Sequence, residues 1–423
     1  MWNISDRVEP GPDGDVTGER ADCSAGPKEP LSSPQGAPGP RFAGRFSPTG
    51  QFAWSGSEIT ARFKGSGISV TLELGTLGTP QADYDPAKDE RVFTSWVDGK
   101  ASLVATKAGK NRYELAKGLD PNVVHEVVLH REFEAAGGLA RFHAFEPAAG
   151  GELLPPRVRT RRIEIIGDSI SCGYGVLGAD GACPFSYGTQ RHSLSYGALA
   201  ARTLDAELTS VCVSGKGLTR NENGDDGGQP SRDPAYPPGT IASAIPQLYG
   251  KLDPLPKFGE LLPEGTKVTY SGVYVAHPDV PDMPADPGGI LIAPRPETAP
   301  QVVVVNLGTN DFNFDVRDDV FVATGSDLLR RVRSIYPEAH LFFALSPMLS
   351  DSLGAEIRTR AAAALRTIVD SAVQRGDKRA YYMQFIEQRQ ARDGLGCSGH
   401  PSPRTHELAA SQLVQAIQSK LCW

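Results

Sequence analysis

The hydrophobic periodicity of the chain changes once, near residues 148–156, and this change limits the folds that the sequence can adopt. Short runs before that point alternate apolar with polar residues, which is typical of strands that place one face on a core. Later runs, such as 163–166 and 302–307, are apolar at all but one position and alternate with helical segments. Strands of that kind are buried on both faces of a parallel sheet. The sequence therefore predicts an all-β domain followed by an α/β domain.

Residues 41–155 form the predicted all-β domain. Gly65 and Gly67 separate two alternating runs, and Asp98-Gly99 between two further runs is a two-residue hairpin signal. Many short strands with turns at this spacing predict a β-sandwich, specifically a jelly roll.

Residues 160–423 form the predicted α/β domain, a flavodoxin-like parallel sheet with helices on both faces. Its strands are expected at 163–166, 208–213, 302–307, 341–345 and 381–386, and its helices at 193–204, 318–335, 355–374 and 405–421. The proline-rich interval 254–300 interrupts this pattern and is interpreted as an insertion that forms a hairpin flap near the site.

Residues 1–40 are rich in Gly, Pro, Ser and acidic residues, and we expect them to be disordered because they cannot bury enough apolar surface. The 423-residue chain carries a net charge of -7, which argues against nucleic acid or an anionic membrane as a partner. No signal peptide is recognisable in the chain as written. Two locations stay open: extracellular or periplasmic, after removal of a signal, and cytoplasmic.

The six cysteines lack the C-x-x-C spacing of a zinc site. They allow 15 full pairings, among which the sequence does not choose. Cys212 lies in a predicted buried strand and is interpreted as a small core residue. A disulfide between Cys183 and Cys397 that braces the site is one hypothesis.

Four polar motifs lie at the carboxyl ends of predicted strands or just beyond, where open α/β sheets bind their ligands. Acyl transfer needs a nucleophile, a general base and donors directed at the developing oxyanion. Ser169 can attack, and His400 can take its proton. The backbone N–H groups of Ser169 and Gly215 and the side-chain amide of Asn310 can form the oxyanion hole. The motifs are Gly167-Asp168-Ser169, Val213-Ser214-Gly215-Lys216-Gly217, Asn306-Leu307-Gly308-Thr309-Asn310-Asp311 and Gly399-His400-Pro401.

In this order the four motifs resemble the sequence blocks of the SGNH (GDSL-type) hydrolases. More narrowly, the chain resembles carbohydrate esterase family two, the acetylxylan and acetyl-sugar esterases. The resemblance extends over residues 41–421 and includes a similar sandwich start at residues 44–59. It is carried by Gly167-Asp-Ser-Ile-Ser-Cys-Gly-Tyr-Gly175, Ser214-Gly-Lys-Gly-Leu218 with Arg220-Asn221, Asn306-Leu-Gly-Thr-Asn-Asp-Phe312 and Gly396-Cys-Ser-Gly-His-Pro-Ser402.

This resemblance implies a jelly roll joined to an SGNH domain. It also implies a serine esterase that removes acetyl groups from acetylated carbohydrates through an acetyl-enzyme, with no metal or organic cofactor. One departure concerns the aspartate that usually precedes the catalytic histidine in SGNH enzymes, because Ser398 stands in its place. The similar esterase family includes Ser–His dyads in which a backbone carbonyl orients the histidine, and we expect that arrangement here. Asp393 is the nearest acidic residue but is too distant in sequence to assign.

Other polar residues are interpreted as structural. His125 and His130 lack zinc spacing, and His406 is expected to pack on the last helix. Asp168 and Asp311 are expected to position loops through hydrogen bonds. Two alternative functions stay open. One is a lipase or arylesterase with the same machinery, and the other is a non-catalytic carbohydrate-binding protein, which the missing aspartate would favour.

Overall fold

Two antiparallel sheets pack face to face in the N-terminal half of the protein. The computed structural model describes residues 16–26, 28, 32–47, 49–75, 91–222, 244–249, 299–354 and 356–423. The strands of this half are β1 (Ser32–Pro34), β2 (Arg41–Ala43), β3 (Gln51–Phe52), β4 (Glu58–Lys64), β5 (Gly67–Leu74), β6 (Val92–Val97), β7 (Lys100–Ala105), β8 (Gly109–Lys117), β9 (His125–Arg131), β10 (Ala140–Pro147), β11 (Glu152–Leu154) and β12 (Arg157–Arg159).

One sheet has the order β3-β10-β5-β8, and the other has the order β11-β4-β9-β6-β7 with β2 also paired to β4. Alternating residues of the two inner faces form one core, which includes Phe63, Val70, Phe93 and Leu129. Because strand side chains alternate between the faces of a sheet, the alternating runs in the sequence bury one face and leave the other polar. The protein therefore begins with a β-sandwich, as the sequence predicts.

The hairpin between β6 and β7 is confirmed. Asp98 and Gly99 both have positive φ angles, 51° and 78°, which is the backbone of the tight turns that match strand twist. Strand β8 was absent from the prediction because its exposed residues interrupt the apolar alternation.

A five-stranded parallel sheet with the order β14-β13-β15-β16-β17 forms the second domain. Counted from β13 this is the order 2-1-3-4-5, which is the order of flavodoxin-like sheets. Its strands are β13 (Arg161–Gly167), β14 (Ala206–Cys212), β15 (Val302–Asn306), β16 (His340–Leu345) and β17 (Ala380–Gln384). Its helices are α1 (Ser169–Cys172), α2 (Tyr196–Thr203), α3 (Ile245–Leu248), α4 (Thr309–Asn313), α5 (Asp318–Ile335), α6 (Ile357–Gln374), α7 (Gln390–Asp393) and α8 (Pro403–Leu421).

Helices cover both faces of this sheet. Val303 and Val305 of β15 pack with α5 and α6 on one face, while Val302 and Val304 pack with α2 and α8 on the other. Helix α5 has the predicted bounds. Helix α2 begins later than predicted, because Ser195 rather than Ser193 accepts the capping hydrogen bond, from the N–H of Ala198.

The prediction of disorder for residues 1–40 is wrong for the described part of that segment. Cys23 is disulfide-bonded to Cys422, and strand β1 pairs with β12. The backbone N–H of Thr17 donates to the carbonyl of Tyr382 at 2.9 Å. Composition misleads here because a covalent bond and pairing with strands, rather than a core of its own, order the segment.

Cys212 is fully buried, as expected of a small core residue, and the structure adds a disulfide bond to Cys172 that the sequence did not predict. The hypothesised bond between Cys183 and Cys397 is present. The expected insertion at 254–300 lies outside the described residues except for Ala299 and Pro300. None of the described helices is both long and apolar enough to cross a membrane.

Candidate active site

The carboxyl ends of β13, β14 and β15 meet at one edge of the parallel sheet. Gly167 lies in register with Cys212 on one side and with Asn306 on the other. Three of the four sequence motifs begin at this edge, because each follows one of these strands. Parallel strand order therefore brings together segments that are far apart in sequence.

Ser169 is the first residue of the short helix α1 and is 5% exposed. Asp168 precedes it as the N-cap, and the Asp168 carboxylate accepts the backbone N–H of Ile170 at 3.0 Å. Burial raises the pKa of Asp168 to about 7. The N–H of Ser169 itself has no partner within the helix, since the first N–H groups of any helix lack one. Asp168 thus has the loop-positioning contact that the sequence predicted.

His400 completes a hydrogen-bonded pair with Ser169. The Nε2 atom of His400 lies 2.8 Å from the Oγ of Ser169, and its Nδ1 lies 3.2 Å from the carbonyl oxygen of Cys397. A carbonyl can only accept a hydrogen bond, so Nδ1 carries the proton and Nε2 is free to accept from the serine hydroxyl. The geometry places a serine hydroxyl beside an imidazole nitrogen that can accept its proton, with a neutral group that holds the imidazole.

Several contacts hold the segment that carries His400. Cys397 is bonded to Cys183, and its N–H donates to the carbonyl of Gly175 at 2.9 Å. The Tyr174 ring lies against the imidazole of His400, with ring centroids 4.2 Å apart. Ser398 adopts the left-handed conformation with φ of 53°, which an L-residue seldom takes without tertiary support.

The environment of His400 favours its neutral form. Burial lowers the pKa of His400 to about 4, and the carbonyls of Ser398 and Cys397 only partly oppose that effect. Asp393 does not act as the missing carboxylate, since its side chain accepts from the N–H of Arg389 and pairs with the guanidinium of Arg392.

The segment after β14 forms the second side of the site. Gly215 has a φ of 73°, which favours glycine, and any Cβ at Gly217 would overlap the carbonyl oxygen of Arg220. The Asn310 side-chain amide donates one hydrogen to the carbonyl of Lys216 at 2.8 Å. Its second hydrogen is available for a substrate.

Two buried carboxylates hold this segment. Asp311 accepts the backbone N–H groups of Leu218, Thr219 and Arg220, as well as the Thr219 hydroxyl. Glu134 of the β-sandwich accepts both the N–H and the hydroxyl of Ser214. Burial raises the pKa of both carboxyl groups. Glu134 was absent from the predicted site, because it lies 80 residues from its partner and has no motif around it.

Three further histidines of the described residues, His125, His130 and His406, have structural contacts. His125 bonds to the carboxylate of Asp98, and His130 bonds to His192 across the domain boundary. His406 is buried and its Nδ1 accepts the backbone N–H of Tyr196 at 3.2 Å. These contacts agree with the packing roles expected from the sequence.

Two family models match the chain. The model described as carbohydrate esterase 2 N-terminal matches residues 42–156, and the model described as GDSL-like lipase/acylhydrolase matches residues 163–413. The curated protein "Cellulase/esterase CelE" of Acetivibrio thermocellus is 31% identical over 392 residues, which are 91% of this chain and 40% of that protein. The chain therefore spans less than half the length of that relative.

Solved structures agree with these matches. A family two carbohydrate esterase from Clostridium thermocellum, in complex with cellohexaose, is 30% identical with a TM-score of 0.71, covering 91% of this chain and all of that one. A carbohydrate esterase family 2 enzyme from Corynascus thermopiles is 26% identical with a TM-score of 0.66, covering 91% of this chain and 100% of that one. The family-model matches over both domains and this structural likeness show that the chain belongs to carbohydrate esterase family two of the SGNH (GDSL-type) hydrolases.

Proposed function

We propose that this protein is a carbohydrate O-acetyl esterase that hydrolyses acetyl esters of sugars or polysaccharides. The observation that carries the proposal is the contact between Ser169 and His400, 2.8 Å from Oγ to Nε2, with the imidazole tautomer set by the carbonyl of Cys397. That arrangement suits a serine whose proton leaves as the oxygen attacks a carbonyl carbon.

The proposed reaction has two halves. The Oγ of Ser169 attacks the acetyl carbonyl carbon while its proton passes to His400 Nε2. The bond between the acetyl carbon and the sugar oxygen then breaks, and His400 returns the proton to that oxygen. Water attacks the acetyl-enzyme with His400 again as base, and release of acetate restores the serine hydroxyl.

The tetrahedral oxyanion would be bound by the N–H groups of Ser169 and Gly215 and by the amide of Asn310. Support comes from the free N–H at the start of α1, the left-handed turn at Gly215 and the second amide hydrogen of Asn310. Donors fixed in place before the reaction stabilise developing charge without reorganisation.

The substrate class rests on family membership. Acetylated carbohydrate is the partner that we propose, and a Cellvibrio japonicus relative, 23% identical over 87% of this chain and 85% of its own length, carries the name "Acetylxylan esterase / glucomannan deacetylase". We further propose that the sandwich is a jelly roll, because eight strands, β3 to β10, fall into the orders β3-β10-β5-β8 and β4-β9-β6-β7. Three disulfides support an extracellular or periplasmic location.

Acetate release from acetylated xylan and from 4-nitrophenyl acetate tests the proposal. Ser169→Ala should lower kcat by at least about 1000-fold. Ser171→Ala is the matched control on the same helix, since the Ser171 hydroxyl bonds to Tyr196, and it should retain activity within a few-fold. Equal rates for wild type and Ser169→Ala would reject Ser169 as nucleophile.

The same assay separates the alternatives. Strong preference for octanoyl over acetyl esters would identify a lipase instead. A wild-type protein that binds glycans but releases no acetate would be a carbohydrate-binding protein.

A further inference from the structure

A glutamate of the β-sandwich contacts the segment that we assign to the oxyanion hole. Glu134 follows strand β9 and is 3% exposed. One carboxylate oxygen accepts the backbone N–H of Ser214 at 2.7 Å, and the other accepts the Ser214 hydroxyl at 2.6 Å. Hydrogen bonds to a carboxylate are stronger than those between neutral groups, so this pair holds Ser214 firmly.

Ser214 shares a peptide bond with Gly215, whose N–H we assign to the oxyanion hole. Glycine has no Cβ, so its backbone dihedral angles change easily. The direction of its N–H therefore depends on how its neighbours are held. Glu134 holds the residue before Gly215, and Asp311 holds Leu218 and Thr219 after it. The flexible glycine is thus fixed from both sides by buried carboxylates.

Glu134 is also linked to the nucleophile helix. The side-chain amide of Gln190 donates to Glu134 at 3.3 Å and to the carbonyl of Cys172 at 3.2 Å. Cys172 is the last residue of α1, the helix that begins at Ser169. The Glu134 carboxylate therefore connects the oxyanion segment, through Gln190, to the helix that carries the nucleophile.

We propose that Glu134 is a positioning residue of the esterase reaction. Its contact with Ser214 aligns the Gly215 N–H with Ser169, so the β-sandwich contributes a residue that catalysis depends on. This inference rests on the proposed function. It predicts that loss of the Glu134 contact weakens binding of the tetrahedral intermediate more than binding of the ester.

Glu132 provides a matched control. It lies two residues earlier in the same segment, is fully buried and also crosses to the α/β domain, where it accepts the N–H of Ser193 at 2.8 Å. Its other oxygen accepts the Thr94 hydroxyl. Removing either glutamate disturbs the domain boundary, but only Glu134 contacts the oxyanion segment.

The test measures kcat and KM with 4-nitrophenyl acetate, and inhibition by a trifluoromethyl ketone that forms a tetrahedral adduct with serine. Glu134→Ala should lower kcat about 10- to 100-fold, a part of the loss caused by removing a whole donor. KM should stay within about two-fold, while ketone affinity should fall by a factor similar to that of kcat. Glu132→Ala should lower the Tm and leave kcat within a few-fold.

Ser214→Ala probes the same contact from the other side and removes only the hydroxyl bond, so kcat should fall a few-fold at constant KM. Glu134→Gln, which keeps an oxygen acceptor, should recover part of the loss seen in Glu134→Ala. Equal kcat losses in Glu134→Ala and Glu132→Ala, or full activity in Ser214→Ala if Glu134→Ala does not fold, would overturn the inference. An active wild type that needs Ser169 but not Glu134 would leave the proposed function intact.

Discussion

The His400 imidazole is held by the carbonyl oxygen of Cys397, a neutral acceptor 3.2 Å from Nδ1. In a Ser–His–Asp triad a carboxylate occupies this position and stabilises the imidazolium that forms during the reaction. A carbonyl oxygen fixes the ring and its tautomer but gives less stabilisation to the cation. Several consequences for activity follow from this difference.

The acid limit of activity should lie well below that of a histidine in water. Burial lowers the pKa of His400 to about 4, so the neutral base persists as the pH falls and is lost only near that value. We expect kcat/KM to fall below a midpoint near pH 4, rather than near 6.5. The measurement is a pH profile with a substrate stable to acid, and a midpoint above 6 would show that a charged partner supports His400.

Asp393→Asn should leave kcat within a few-fold of wild type. The Asp393 carboxylate already accepts from Arg389 and pairs with Arg392, so it is not available to His400. Steady-state kinetics measure the effect, and the Tm accounts for any loss of the Arg392 contact. A kcat loss of about 10⁴-fold, as in a triad that loses its aspartate, would contradict the dyad.

Loss of the Cys183–Cys397 disulfide should lower kcat as well as the Tm. This bond tethers the residue whose carbonyl holds His400. We expect Cys183→Ser with Cys397→Ser to lower kcat about 10-fold, because the base would no longer be held in the right position. The control is Cys23→Ser with Cys422→Ser, which removes a disulfide away from the site. Each bond contributes about 2–4 kcal/mol to the free energy of unfolding, so only kcat separates the two pairs.

Asn310→Ala should lower kcat by about 100- to 1000-fold, the usual cost of one oxyanion donor, with little change in KM. The substitution also removes the bond to the Lys216 carbonyl. A thermal melt shows whether that loss matters for stability. A variant with normal kcat and raised KM would indicate that Asn310 binds the ester in its ground state instead.

Local sequence patterns predicted those parts of the fold that depend on neighbouring residues. The bounds of α5 follow from helical periodicity, and the β6–β7 turn follows from Asp98-Gly99, because both are determined within a few residues. Three of the four motifs could be expected to meet, because strand ends in a parallel sheet converge on one edge. The His400 motif follows no strand directly, and its place rested on the resemblance to the family.

Apart from the hypothesised Cys183–Cys397 bond, the contacts between distant segments that matter at the site were not predicted. Glu134 and Ser214 are 80 residues apart, and the disulfide-bonded Cys172 and Cys212 are 40 residues apart. The resemblance led us to expect a backbone carbonyl beside His400, but it did not indicate that Cys397 supplies it, because every amino acid carries a carbonyl.

The bond between Cys23 and Cys422 closes almost the whole polypeptide into a covalent ring. A protease that cuts the backbone once, anywhere between these two residues, would leave both products joined through sulfur. Cleavage would then be visible on a gel only after reduction.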